Sequence, residues 1–257
     1  MLNQFSRTEL LLGKEAMEIL NKAHIAVFGV GGVGGYTVEA LIRSGIQHID
    51  IIDNDTVSLT NLNRQIIATH STIGKYKVDV MKERILDINP SAEVNVHKCF
   101  YLPETRDLFD FTKYDYVVDA VDTVTAKINL ILQAKEAGTK IICSMGAGNK
   151  MDPTQFQVTD ISQTSVCPLA RVMRQECKKR KIKNVKVVFS TEKVLRPIEA
   201  IQPEKSSADN RSTVRRDIPG STAFVPSVAG LIIASEIIKD LTGEATARAR
   251  SFRANAL

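Results

Sequence analysis

Apolar positions in this chain fall into short compact runs that alternate with longer helical stripes. Leu10, Leu11, Met17, Ile19 and Leu20 recur near helical spacing, which predicts a leading amphipathic helix within residues 1–23. The rhythm then changes. His24-Ile-Ala-Val-Phe28 is a run of strand formers ended by glycines, and the stripe Val38, Leu41, Ile42 predicts a helix that stops at Gly45. Ile49-Asp-Ile-Ile52 reads as a second buried strand. Beyond a long polar connection, Val78, Met81, Ile85 and Ile88 mark a helix closed by Asn89-Pro90. Val94 with Val96, residues 116–118 and Ile141-Ile142 predict further strands, with a helix over 130–137 between the last two.

Strands that alternate with helices imply parallel βαβ units, and right-handed crossovers place helices on both faces of the sheet. The expected class is therefore α/β, a doubly wound, mostly parallel Rossmann-like sheet. Past Gly148 the pattern loosens: Phe156-Gln-Val158 and residues 185–189 read as strands around a basic helix, and a final helix is predicted over 226–241. Residues 202–221 carry no apolar period and are expected to form a mobile loop. The division that results is a single domain over 1–257, with a first half at 24–150 and a second at 151–245.

With 44% hydrophobic and 25% charged residues, composition excludes a disordered or fibrous chain. The most apolar late run, 225–238, is broken by Ser227, Ser235 and Glu236 and falls short of the roughly 20 residues a membrane span needs. It reads as a core helix, and no membrane span is expected. Nothing at the start reads as a signal peptide, because Glu9, Lys14, Glu15 and Glu18 interrupt the stripe; a cytoplasmic protein is the expectation. Cys99, Cys143, Cys167 and Cys177 are unequally spaced without a C-x-x-C pair, which suits free thiols in a reducing compartment and no zinc.

The net charge of +5 matters less than its distribution. Arg171, Arg174, Lys178, Lys179, Arg180 and Lys181 crowd one stretch, continued by Lys183 and Lys186 and relieved only by Glu176. Such a cluster attracts a phosphate backbone, although a solvated helix face has the same pattern.

Gly29-Val-Gly31-Gly32-Val-Gly34 follows the first strand and opens a helix, with Asp53 about 20 residues on, at the end of the second strand. Gly29 permits the tight turn, Gly31 and Gly32 let backbone amides approach phosphate oxygens, and Asp53 can accept from ribose hydroxyls. The same frame serves NAD, FAD and ATP, so a redox enzyme or an NAD-sensing module is a competing reading. The residues beyond the second strand favour ATP: Asp53-Asn-Asp55-Thr-Val-Ser-Leu-Thr-Asn61-Leu-Asn-Arg64-Gln65, then Gly74-Lys-Tyr-Lys77, then Asp119-Ala-Val-Asp122. Arg64 and Lys77 can neutralise a triphosphate, Asn61 can donate to it, and Asp122 can hold the magnesium that bridges its oxygens.

These motifs resemble the ubiquitin-activating superfamily, of the ThiF, MoeB and HesA type, over about residues 5–148. The resemblance implies that Gly32 and Asp53 contact nucleotide and ribose, that Asn61 and Arg64 meet the phosphates, that Lys77 sits by the α-phosphate, and that Asp122 carries Mg2+. Asp55 and Gln65 belong to the same motif. It further implies that Arg7 reaches the γ-phosphate held by a partner subunit, which requires a homodimer.

Sulfur-carrier adenylyltransferases of that superfamily commonly have paired C-x-x-C motifs, which this chain lacks. The second half instead resembles the tRNA threonylcarbamoyladenosine dehydratases, in Gly146-Ala-Gly148-Asn-Lys-Met-Asp152-Pro153-Thr154, Cys167-Pro-Leu-Ala-Arg171-Val-Met-Arg174 and Ser221-Thr-Ala-Phe-Val-Pro226-Ser-Val-Ala-Gly230. This implies ATP-dependent cyclisation, through an acyl-adenylate, of a modified adenosine in the tRNA anticodon loop. The basic helix, with Arg211, Arg215 and Arg216 of the expected loop, would then grip tRNA. Activation of the C-terminal carboxylate of a ubiquitin-like carrier is the alternative, and a sulfur-transfer protein partner is left open.

Overall fold

The computed structural model describes residues 2–198 and 219–254, without the side chains of 250 and 252–254. Strands β1 (His24–Phe28), β2 (His48–Ile52), β3 (Glu93–His97), β4 (Tyr116–Asp119), β5 (Lys140–Ser144), β6 (Phe156–Asp160) and β7 (Lys186–Ser190) form one sheet in the order β3-β2-β1-β4-β5-β7-β6. All neighbours run parallel except β6, which pairs antiparallel with β7. Helices α1 (Ser6–Leu12), α2 (Lys14–Lys22), α3 (Gly34–Arg43), α4 (Lys77–Ile88), α5 (Val124–Ala137), α6 (Pro168–Lys179) and α7 (Phe224–Ala254) pack around it. The doubly wound architecture agrees with the alternation in the sequence.

Successive strand residues point to opposite faces, and each face has its own core. Ile25, Val27, Ile49 and Ile51 pack with Leu20, Val38, Leu41, Met81 and Ile233 on one side. Phe28, Val117, Ile131, Met173 and Phe189 pack on the other. Burial on both faces is why the strands read as continuous apolar runs.

Part of the second face is covered by a segment that contains only short 3-10 turns, Pro103–Leu108 and Phe111–Lys113. Residues 98–114 cross there and bring Tyr101 and Phe109 to ring-centroid distances of 5.1 Å and 5.2 Å from Phe28. Beneath this cover Asp50 is 5% exposed in mid-β2. It accepts hydrogen bonds from His24 Nε2 (2.8 Å), His97 Nε2 (3.0 Å), Asn95 Nδ2 (2.8 Å) and Tyr114 OH (2.8 Å). Burial by itself raises a carboxyl pKa, but these donors outweigh it and hold Asp50 well below the usual carboxylate range.

Two expectations need correction. The leading helix is two helices, broken where Gly13 adopts φ 89°. Met17 and Leu20 enter the core as expected, but Leu10 and Leu11 are each 72% exposed, because the break turns α1 away from the sheet. The final helix extends beyond 241 to Ala254, since Gly243 is accommodated within it and Ala245 still packs inward. Pro226 lies in its first turn, where no intrahelical donor is lost. Helix α7 packs on α2 and α3. At Gly230 a Cβ would lie 2.3 Å from the carbonyl oxygen of Val33, so the α3 and α7 backbones meet directly. Of the loop expected over 202–221, only 219–221 fall within the described residues. No described helix is long and apolar enough to cross a membrane.

Candidate active site

The strand order reverses between β1 and β4, and a cleft of about 460 Å³ opens there at the carboxyl ends of the strands. This is the switch point at which open α/β sheets bind ligands. Its floor is the glycine turn between β1 and α3. Gly29 has φ +92°, and a Cβ on it would stand 2.6 Å from the carbonyl oxygen of Ala120. Gly31 and Gly32 line the cleft, and among the described residues their amide nitrogens donate no backbone hydrogen bond. Gly34 does not line it: a Cβ there would meet Gly29 O at 1.8 Å, so its work is to let the turn close.

Asp53 stabilises this turn from the next strand. Its Oδ2 accepts from Val30 N at 2.7 Å and its Oδ1 from Asp55 N at 2.8 Å. Each oxygen keeps a further lone pair for a hydroxyl donor.

Two cations enter from the connection after β2. Asn61, Arg64 and Gln65 sit on a short turn in which Arg64 N and Gln65 N both donate to Asn61 O. The side-chain oxygen of Asn61 accepts from Ser58 N at 3.2 Å, which leaves its amide nitrogen for the cleft. Arg64 Nη1 donates to Thr60 O at 2.8 Å and Asn63 Oδ1 at 3.0 Å but meets no carboxylate among the described residues. Burial pushes its pKa down. Gln65 is 7% exposed, and its Oε1 has no partner among the described residues. Lys77 arrives through the pairing of residues 55–57 with 75–77, opens α4, and contacts Asp55 Oδ2 at 2.6 Å.

Asp122 is exposed at the cleft edge, between β4 and α5. No group of three or more metal-ligating side chains occurs among the described residues. A lone carboxylate beside a polyphosphate nevertheless suits magnesium, which typically takes one or two protein carboxylates together with phosphate oxygens.

Sequence reasoning missed two walls. Residues 99–102 line the cleft, tied by a hydrogen bond from Tyr101 OH to Gln133 Oε1 at 2.5 Å. Burial lifts the Tyr101 pKa to about 12 and raises that of Cys99, the one cysteine that lines the cleft among the described residues. Cys167 and Cys177 are both buried. The opposite wall is Gly148 with residues 219–221, held where Asn149 Oδ1 accepts from Gly220 N at 2.6 Å and Asn149 N donates to Gly220 O at 2.8 Å. Nothing periodic in the sequence announces either contact.

Arg7 lies exposed on α1 and does not line this cleft. The basic stretch is divided. Arg174 turns inward to Thr164 O (2.7 Å) and Oγ1 (2.5 Å), and Glu176 engages Lys179 at 2.7 Å and Arg180 at 2.5 Å. Arg171, Lys178 and Lys181 are exposed without a described ion pair. Lys178 and Lys181 border a hollow with Lys183 and Arg174. α6 starts beside Gly146 at the carboxyl edge of the sheet, and its 12 residues carry this hollow about 18 Å towards the other edge. Arg211, Arg215 and Arg216 lie outside the described residues.

The arrangement of amide turn, unpaired guanidinium, lysine and acid suits a polyphosphate. Comparison with known proteins agrees. The chain is 47% identical to the tRNA threonylcarbamoyladenosine dehydratase of Bacillus subtilis over 94% of its own length and 95% of that protein. It is 36% identical to the Escherichia coli enzyme of the same name, with 94% of each chain covered. The crystal structure of the Escherichia coli enzyme in complex with ATP superposes with a TM-score of 0.82 at 35% identity, covering 94% of this chain and 95% of that one. Residues 5–257 match the ThiF family, and the chain belongs to it.

Proposed function

We propose that this protein is an ATP-dependent tRNA threonylcarbamoyladenosine dehydratase. The observation that carries the reading is the near full-length similarity to enzymes of that name, at 47% identity in one case, combined with a cleft in which Arg64 meets no carboxylate among the described residues.

The carboxylate at the end of the threonylcarbamoyl side chain attacks the α-phosphorus of ATP, forming an acyl-adenylate and releasing pyrophosphate. The carbamoyl oxygen then attacks the activated carbonyl, the C–O bond to AMP breaks, and a proton leaves as the oxazolone ring closes. The sum is loss of water at the expense of ATP. An internal nucleophile held beside its target profits from proximity, so no enzyme thiol is needed.

The amides of Gly31 and Gly32 take phosphate oxygens, Asp53 takes the ribose, and Asn61, Arg64 and Lys77 meet the phosphates as negative charge builds on the leaving pyrophosphate. Gln65 and Asp55 complete the wall behind them. Asp122 would hold magnesium, which would supply charge neutralisation. Arg7, exposed and outside its own cleft, would act in the cleft of a second copy in a homodimer. Arg171, Lys178 and Lys181 would take tRNA phosphates around the anticodon arm; Lys179 and Arg180, already engaged by Glu176, and inward-turned Arg174 contribute less. With ATP and tRNA as substrates, the enzyme would work in the cytoplasm.

The test is nucleoside mass spectrometry of threonylcarbamoyladenosine-bearing tRNA after incubation with enzyme and ATP–Mg. Loss of one water with release of pyrophosphate is expected. No mass change, or ATP–pyrophosphate exchange that answers to a ubiquitin-like carrier and not to tRNA, would overturn the reading.

A further inference from the structure

A lysine stands where the α5 pattern calls for an apolar residue. Lys127 lies in the first turn of α5, between the buried Ala126 and Ile128, and its side chain is 0% exposed. Its ammonium donates to Asp119 Oδ1 at 3.0 Å and to the backbone oxygen of Ser144 at 2.6 Å. Asp119 is also 0% exposed. The same Oδ1 accepts from Val121 N at 3.3 Å, while Oδ2 is buried without a partner among the described residues. Burial raises the Asp119 pKa against the pull of Lys127.

This is a poor way to stabilise a fold. A cation in the first turn opposes the helix dipole. A fully buried ion pair is often no better than apolar residues of similar volume, and sometimes worse. An orphaned carboxylate oxygen adds to the cost. What the pair does achieve is positional. Asp119 is the last residue of β4 and Ser144 the last of β5, and Lys127 bonds to both. The chain leaving β4 supplies Val121 and Asp122 to the cleft, and the chain leaving β5 supplies Ala147 and Gly148.

We propose that Lys127 and Asp119 are positioning residues for the adenylation step: together they clamp the ends of β4 and β5, and so fix Asp122 relative to the Gly148 wall. Asp119 sets the turn through Val121 N, and Lys127 ties that turn to the neighbouring strand end. The proposal rests on the reading of the cleft as a nucleotide site.

The test compares wild type with the double variant Asp119→Leu/Lys127→Met, which replaces the pair by apolar side chains, and with Lys127→Arg and Asp119→Asn. Measured are Tm, kcat and KM for ATP, the magnesium concentration giving half-maximal rate, and amide hydrogen exchange over residues 120–123 and 145–149. The double variant is expected to keep or raise Tm while kcat falls about 10-fold or more, the magnesium requirement rises and exchange in both stretches accelerates. Lys127→Arg restores most of kcat. A folded double variant with wild-type kcat, magnesium requirement and exchange overturns the proposal. Should the double variant fail to fold, Asp119→Asn decides: it keeps an acceptor for Val121 N but loses the charge that holds Lys127, and wild-type magnesium requirement and exchange in it overturn the proposal equally. Failure of wild type itself to dehydrate tRNA would instead strike the functional reading, while the exchange and Tm arms would still report on the clamp.

Discussion

The ammonium of Lys77 lies 2.6 Å from the carboxylate of Asp55, so the cation that opens α4 is neutralised at the edge of the cleft. The two are unequally placed: the Lys77 side chain is 7% exposed and that of Asp55 is 54% exposed. An arriving triphosphate can therefore draw Lys77 away while Asp55 turns to water at little cost. Asp55 is thus placed as the counterion of Lys77 in the protein without nucleotide.

From this asymmetry, Lys77→Ala should lower ATP–pyrophosphate exchange by about 10²-fold, the usual loss when a donor to developing charge is removed. Asp55→Asn preserves shape and removes only the competing charge, so exchange should change less than about 10-fold, with a lower KM for ATP. Equal losses in the two variants would show that Asp55 itself takes part in the chemistry.

Arg64 differs because no carboxylate among the described residues neutralises it and burial already weighs against its charge. Arg64→Ala should reduce turnover about 10²-fold while leaving Tm unchanged or slightly higher, as removal of an uncompensated, half-buried cation does not weaken the fold. Thermal melts with and without ATP check this: ATP should raise the Tm of wild type markedly and that of the variant little. Near-normal turnover, or a large drop in Tm without ligand, would assign Arg64 a structural role instead.

These residues stood out in the sequence because they follow the glycine turn in one ordered set of motifs, Asp53 to Gln65 and then Gly74 to Lys77. The strands themselves were legible because both faces of the sheet are buried, so His24–Phe28 and the others stand out as unbroken apolar runs. Chemistry hidden inside a regular pattern was not legible. Lys127 and Asp50 are polar residues inside otherwise apolar stretches, and their buried partners, Asp119 with Ser144 for the one and Tyr114 for the other, lie on other elements that spacing does not connect to them. Nor could spacing show that β6 turns antiparallel, whereas the offsets of three and four residues from Glu176 to Lys179 and Arg180 do allow the pairing found on α6.

That pairing yields a differential test of the basic helix. Lys178→Glu/Lys181→Glu should weaken tRNA binding more than Lys179→Glu/Arg180→Glu, although both reverse two charges. The slope of log affinity against log salt should become shallower by about 2 in the first variant, by counterion-release arithmetic, and by less in the second. ATP affinity should stay unchanged in both. Equal effects would mean that only net charge matters and that the division made by Glu176 has no functional consequence.

The carboxylate of Asp50 offers a test in pH. Its pKa is depressed in the folded protein because His24, His97, Asn95 and Tyr114 all donate to it, outweighing the cost of burial. A depressed carboxyl contributes stability that is fully present above its unfolded pKa of about 3.9 and is lost as pH falls towards the folded value. Asp50→Asn keeps one acceptor oxygen but has no charge to lose, and its amide presents donors to donors. At pH 7 the variant should be less stable by about 2 kcal/mol, the scale of hydrogen bonds to a charged group. Below about pH 4 the gap should narrow, because there the unfolded wild-type chain takes up a proton on Asp50 that the folded one does not. Urea unfolding of both proteins at neutral and acid pH reads this directly. A gap that stays constant on acidification would mean that the four donors recognise the shape of Asp50 and not its charge. Since His97 and Tyr114 bracket the 98–114 cover that supplies residues 99–102 to the cleft, the variant should also raise KM for ATP at pH 7, linking a buried acid in mid-sheet to the nucleotide site.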